Sequence, residues 1–295
     1  MKKTYLFPTA SLALALLSTL NPQPSTCFAA TTITTTNRYA YGANLGWVDG
    51  CGDTDNGAVI GEYVCLGYLY AANVGWINLG RGSPANGIQY QNNSATDFGV
   101  NLGIAGAGTL RGYAWGANIG WINFESTGAP QVDLATGKLT GYAYSANCGW
   151  ISLSNLSAVV QTGSIAAGTD SDHNGLPDAW EMQNFGHLGV DPNADPDHDG
   201  MSNRQEYLAG TDPNNAADCL RITRYTRTNT YNTLWWTAKP TRLYRVERRS
   251  AVGPGSSWEE LTMGFENVPG WSNVGFDNTG PRYFYGIRAL RPLVP

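Results

Sequence analysis

Tyr39-Ala-Tyr-Gly-Ala-Asn-Leu-Gly-Trp47 returns three times, as Tyr68-Leu-Tyr-Ala-Ala-Asn-Val-Gly-Trp76, Tyr113-Ala-Trp-Gly-Ala-Asn-Ile-Gly-Trp121 and Tyr142-Ala-Tyr-Ser-Ala-Asn-Cys-Gly-Trp150. The tryptophans stand 29, 45 and 29 residues apart, so the units read as two pairs. An aromatic at every second position is strand periodicity. Asn-x-Gly then offers residues that tolerate positive φ at a tight turn, and Trp-Ile/Val resumes the alternation. Each unit is therefore strand, turn, strand, and residues 31–160 are expected to form a repetitive all-β domain. Val132-Asp-Leu-Ala-Thr-Gly-Lys-Leu-Thr-Gly141 reads as a further hairpin with Gly137 in its turn.

The residue between Asn and Gly is Leu45, Val74, Ile119 or Cys148, which predicts a buried slot and, for Cys148, a buried thiol. Two uses compete for the repeated aromatics. Exposed Trp and Tyr faces stack on sugar rings, and that would make a carbohydrate-binding protein. The plainer reading makes Trp47, Trp76, Trp121 and Trp150 the core of a domain poor in other large apolar residues, and it is the one expected here. Residues 31–165 hold only four basic and seven acidic residues, little material for catalysis or ionic recognition.

Beyond the repeats, two acidic stretches fit the twelve-residue calcium-loop pattern D-x-[DN]-x-[DN]-G-x5-E: Asp170-Ser-Asp-His-Asn-Gly-Leu-Pro-Asp-Ala-Trp-Glu181 and Asp195-Pro-Asp-His-Asp-Gly-Met-Ser-Asn-Arg-Gln-Glu206. Calcium is a hard cation that takes six to eight oxygens, supplied from loop positions 1, 3, 5, 7, 9 and 12. The first loop offers Asp170, Asp172, Asn174, the Leu176 carbonyl, Asp178 (direct or through water) and bidentate Glu181. The second offers Asp195, Asp197, Asp199, the Met201 carbonyl, Asn203 and Glu206. Gly175 and Gly200 hold position 6, where the chain turns too sharply for most side chains. Residues 166–218 carry eleven carboxylates and only Arg204 as a base, so the empty loops repel themselves. A solvated acidic linker would have to place glycine and glutamate correctly twice by accident.

A helix-compatible segment follows each loop's glycine, Leu176 to Phe185 and Met201 to Ala209, with Pro177 suited to a first turn and Gly186 and Gly210 to helix ends. No entering helix precedes either loop. The two loops, Glu206-Tyr-Leu-Ala-Gly210 and Gly210-Thr-Asp-Pro213 resemble the bacterial thrombospondin type 3 repeats. That resemblance implies calcium binding in a stiff extracellular spacer and nothing about catalysis. Asp191 and Asp212 are candidates for further oxygens. The aromatic units resemble the G-Y-A-W-x-x-N-x-G-W-I motif of uncharacterised exported bacterial proteins, which carries no known activity.

Residues 1–29 read as a secretory signal peptide, with Lys2 and Lys3, an apolar stretch from Ala10 to Leu20, and Cys27-Phe-Ala29 as the cleavage site. The remaining chain has no segment of eighteen apolar residues and is expected outside the cell or in the envelope. Four cysteines remain there, and an exported chain permits disulfides. Cys51 with Cys65 is the preferred pair, and Cys148 with Cys219 a second.

Residues 219–295 read as a small fibronectin-like β-sandwich, with strands Leu220–Tyr225, Thr233–Ala238, Arg242–Arg249, Trp258–Thr262 and Arg282–Ala289. Trp235, Tyr244, Val246, Trp258, Tyr283, Tyr285 and Ile287 are the expected core. Eleven basic against five acidic residues give this part +6, set against −10 for residues 166–218. The excess suits an envelope polymer, an acidic glycan or another surface protein; pairing with the neighbouring acidic segment is the plainer account. Nucleic acid is not an expected partner.

No nucleophile elbow, phosphate-binding glycine loop or paired CxxC site occurs. His173 and His198 fall at non-ligand loop positions and His187 stands alone. Asp49, Asp53 and Asp55 form the one other acidic cluster and read as a turn. The sequence therefore predicts a mainly β, calcium-binding, non-catalytic protein with a structural or adhesive role.

Overall fold

A computed structural model describes residues 31–53, 55–103, 108–251, 256–265, 272–277 and 283–294. The expected signal peptide lies outside the described residues. The described residues are mainly β, as the alternating pattern requires, with two short α-helices and one 3-10 turn.

The four units are four hairpins: β1 (Ile33–Gly42) with β2 (Gly46–Asp49), β3 (Cys65–Ala71) with β4 (Gly75–Arg81), β5 (Leu110–Gly116) with β6 (Gly120–Asn123), and β7 (Tyr142–Ser145) with β8 (Gly149–Ser152). Their registers coincide. Tyr41 faces Trp47, Tyr70 faces Trp76, Trp115 faces Trp121 and Tyr144 faces Trp150 across the ladder. Each hairpin pairs with the next through its second strand, and β8 returns to β1 with Tyr41 opposite Ser152. Eight strands thus close into a barrel with no free edge.

An eight-stranded barrel is only wide enough inside for side chains to fill it. In three of the four hairpins the inward pair is small with medium, Ala40 with Val48, Ala114 with Ile122 and Ala143 with Ile151, and in the second it is Leu69 with Ile77. The tryptophans are not the core. Trp47, Trp76, Trp121 and Trp150 point outward and remain 43–50% exposed, each packed edge-on or tilted between aromatic neighbours of its own hairpin. Leu45, Ile119 and Cys148 do fill buried slots.

The turn asparagines have a different task from the one expected. Positive φ falls on Gly46, Gly75, Gly120 and Gly149 alone. Asn73, Asn118 and Asn147 instead donate to the carbonyls of Leu45, Val74 and Ile119 in the preceding hairpin, and Asn44 donates to Cys148. Four Asn-to-carbonyl bonds form a ring that ties the turns at one end of the barrel. The predicted hairpin around Gly137 pairs Leu139 with Val132.

All four cysteines of the described residues are free thiols, so neither expected bridge is present. Cys51 Sγ faces the Ile33 carbonyl at 3.5 Å. Cys65 is buried in the barrel core, where burial pushes its thiol up to about 12.

After the barrel come α1 (Asp178–Phe185) and α2 (Asn203–Ala209). Six strands follow: β9 (Ile222–Arg227), β10 (Tyr231–Trp236), β11 (Leu243–Arg249), β12 (Glu259–Phe265), β13 (Ser272–Asp277) and β14 (Phe284–Leu290). They make two three-stranded sheets, β9-β10-β13 and β12-β11-β14, whose apolar side chains share one cluster. β13 was not among the expected strands. The facing of β10 is also shifted by one: Leu234 and Trp236 are buried, and Trp235 turns out to lie beside Arg224. Trp258 is 38% exposed under the Arg249 guanidinium rather than in the core.

Candidate metal centre

Both acidic loops fold by the same local rule, in which short carboxylate and amide side chains take hydrogen bonds from backbone N–H groups just ahead. In the first loop Gly175 N–H donates to Asp170 Oδ2 at 2.9 Å, Asn174 N–H to Asp172 Oδ1 at 3.2 Å, and Leu176 N–H to Asn174 Oδ1 at 2.7 Å. In the second, Gly200 donates to Asp195 Oδ2 at 3.0 Å, Asp199 to Asp197 Oδ1 at 3.2 Å, and Met201 to Asp199 Oδ1 at 2.8 Å. The backbone follows suit: His173 and His198 take φ of 60° and 62°, and Gly175 and Gly200 take 86° and 95°. Position 6 thus has the positive φ that glycine tolerates most cheaply.

Helices then carry the position-12 glutamates inward. α1 starts after Pro177, which stands just before the helix rather than in its first turn, and ends at Gly186 with φ 73°. α2 is opened by Ser202, whose hydroxyl accepts from Gln205 N–H while Gln205 Oε1 accepts from Ser202 N–H, and it ends at Gly210 with φ 71°. Glu181 is 0% exposed and Glu206 1%.

A buried carboxylate without a partner costs several kcal/mol, so buried oxygens are nearly always satisfied. Eight buried side-chain oxygens among the described residues have no hydrogen-bond partner, and seven belong to these loops. They are Asp170 Oδ1 and Glu181 Oε2 in the first, and Asp195 Oδ1, Asp197 Oδ2, Asp199 Oδ2, Asn203 Oδ1 and Glu206 Oε2 in the second. Asp195, Asp197 and Asp199 each bring a carboxylate oxygen within 4.8 Å of the others. Burial, joined by the charges of Asp199, Asp197 and Asp218, pushes the Glu206 carboxyl up to about 7. This oxygen-only donor set fits a hard divalent cation such as calcium, which takes such ligands at 2.3–2.6 Å.

The other predicted residues are placed as follows. Asp178 sends both oxygens to Ser171, accepting from its N–H at 2.8 Å and its hydroxyl at 2.6 Å. Asp172 is exposed, whereas its counterpart Asp197 is half-buried. The Leu176 side chain is fully buried among Tyr63, Trp180, Val190 and Tyr207, and that of Met201 packs against the C-terminal cluster. Asp191 and Asp212 accept from the N–H groups of Asn193 and Asn214, two residues ahead. Asp53 accepts from the N–H groups of Asp55 and Asn56, a turn, and Asp49 is paired with Arg38.

Sequence reasoning missed what surrounds the loops. Glu62, between β2 and β3, meets Arg242 Nη2 at 3.1 Å and Arg291 Nε at 3.0 Å. Tyr207, next to Glu206 on α2, donates its hydroxyl to Glu62 at 3.0 Å. Arg242 also donates to the carbonyls of Leu208 and Tyr207 at 2.9 Å each. Barrel, acidic segment and C-terminal sheets therefore meet at one largely buried ion cluster beside the second loop. These residues are far apart in sequence and carry no motif. Among the described residues, Lys239 is the C-terminal cation paired with the acidic segment, at Asp218, while Arg245 and Arg248 meet carboxylates of their own sheet.

No protein-family model matches the chain, and no curated protein or solved structure is significantly similar to it.

Proposed function

We propose that the chain is an exported, calcium-binding, non-catalytic protein of the cell exterior or envelope, in which calcium stiffens residues 166–216 between the barrel and the C-terminal sheets. The observation that carries this reading is the set of seven buried, unpartnered loop oxygens. A cation bound only by the folded segment stabilises it by about 2.7 kcal/mol at a hundred times its dissociation constant. Extracellular sites of this kind work at about 10⁻⁴ to 10⁻³ M. The mature chain is expected to melt several degrees higher in 10 mM calcium than in chelator, with cleavage between residues 165 and 216 suppressed by calcium. Identical melting and identical proteolysis in the two conditions would end this reading. The C-terminal sheets are read as a small fibronectin-like sandwich serving an adhesive or spacing role.

A second reading concerns the barrel, and the exposure of its tryptophans favours it. Trp47, Trp76, Trp121 and Trp150 stand outward among aromatic neighbours in a region with only eleven charged residues, a surface suited to neutral sugar rings. Titration with a panel of neutral glycans should then shift tryptophan fluorescence, and Trp121→Ala should weaken the response. A flat response across the panel removes carbohydrate binding from consideration.

A further inference from the structure

The two loops share one backbone frame and the same number of carboxylates, yet they present different interiors. The difference starts at position 5. In the second loop this is Asp199: one oxygen accepts the Met201 N–H, and the other faces inward with no partner. In the first loop it is Asn174, whose oxygen accepts the Leu176 N–H. Its inward atom is therefore Nδ2, a donor, 3.0 Å from each of Asp172 Oδ2, Glu181 Oε1 and the Val190 carbonyl. Turning the amide over would set its NH2 against the Leu176 N–H and its oxygen against three acceptors. The orientation is thus fixed from both sides.

Three further contacts point the same way. Glu181 Oε1 already accepts from both Asn174 Nδ2 and Val190 N–H, whereas Glu206 Oε1 accepts only from the Thr211 hydroxyl. At position 9 Asp178 is spent on Ser171, whereas Asn203 keeps a buried, unpartnered Oδ1 while its amide is anchored on the Asp191 carbonyl. Finally Arg204, the one base of the acidic segment, donates to the Asn174 carbonyl and lies over Gly175. A cation entering the first loop meets this positive charge.

Resting on the calcium reading above, we infer that the loops are unequal: Asp195–Glu206 is the tight cation site, and Asp170–Glu181 is held together by the Asn174 amide and binds at least about tenfold more weakly. The loop with the tight site is also the one whose helix, α2, reaches the Glu62 cluster. Occupancy of that one loop then sets how the barrel and C-terminal sheets are held.

The test is calcium titration calorimetry on the full mature chain and its variants. Wild type should show two phases, each of one ion. Glu181→Gln should remove the weak phase and leave the tight one, and Glu206→Gln the reverse. Asn174→Asp should raise the weak phase to within about threefold of the tight one. Asp199→Asn, which keeps an acceptor for Met201 N–H, should lower the tight phase about tenfold even if Glu206→Gln fails to fold. Two equal sites in wild type, or loss of the tight phase in Glu181→Gln, overturns the inference and leaves the calcium reading standing. No heat of binding at all overturns the calcium reading itself.

Discussion

In the barrel, 26 buried residues among those described form one hydrophobic cluster held by a closed ladder. In the acidic segment the comparable cluster has five buried residues, one of them, Tyr63, supplied from the barrel side, and the interior also contains two buried glutamates. Each solves the requirement that buried polar groups be paired, but by different means. The barrel uses its own backbone and the asparagine ring. The segment leaves seven buried loop oxygens without a hydrogen-bond partner. On the calcium reading proposed above, stability in the first is intrinsic, while in the second it is conditional on a cation. Adjacent parts of one chain can therefore answer differently to the same solution.

The largest effect that could break this contrast lies at the joint between the two. Glu62 belongs to the barrel side, yet its oxygens hold Arg242, Arg291 and the Tyr207 hydroxyl, and the three ionised side chains are only 8–15% exposed. Removing one partner from a buried ion group leaves uncompensated charge and costs about 3 to 5 kcal/mol. Glu62→Gln is expected to destabilise the protein by that amount. If the barrel is self-sufficient, hydrogen exchange will quicken in α2 and in β11 and β14, while β3 to β8 keep their protection. Uniform loss of protection across the barrel strands would show that the barrel leans on the segment, and the contrast would fail.

How much of this was legible in the sequence follows from the range of the interactions. The loops, both helix ends at Gly186 and Gly210, and the Gly137 hairpin depend on contacts within a dozen residues, and the sequence placed them. The direction of the aromatics did not follow, because alternation defines two faces without saying which is inside. Large rings suggest a core; the narrow bore of eight strands decides otherwise, admitting Ala40, Ala114 and Ala143 and sending the tryptophans out. β13 was lost because Ser272-Asn-Val-Gly-Phe-Asp277 has the composition of a turn, and only its pairing with β10 makes it a strand. Asn174 and Asp199 both satisfy the loop pattern, so their difference emerges only once the Leu176 and Met201 N–H groups have claimed one atom of each.

The smallest effect sharpens the contrast from within the barrel. Asn118 Nδ2 donates to the Val74 carbonyl at 3.0 Å, one of four such bonds that run between successive turns and return from Asn44 to Cys148. A hydrogen bond of this kind contributes about 1 kcal/mol net at most, since the bond is exposed and water replaces part of it. Asn118→Ala should therefore lower stability by up to about 1 kcal/mol, by the same amount in calcium and in chelator. Equality is the informative part. The ring sits at the turn end of the barrel, and its bonds join turn to turn, so a cation bound in the acidic segment has no lever on it. A cost that doubled in chelator would mean that the turns and the loops share one cooperative unit, and the barrel's independence would have to be given up.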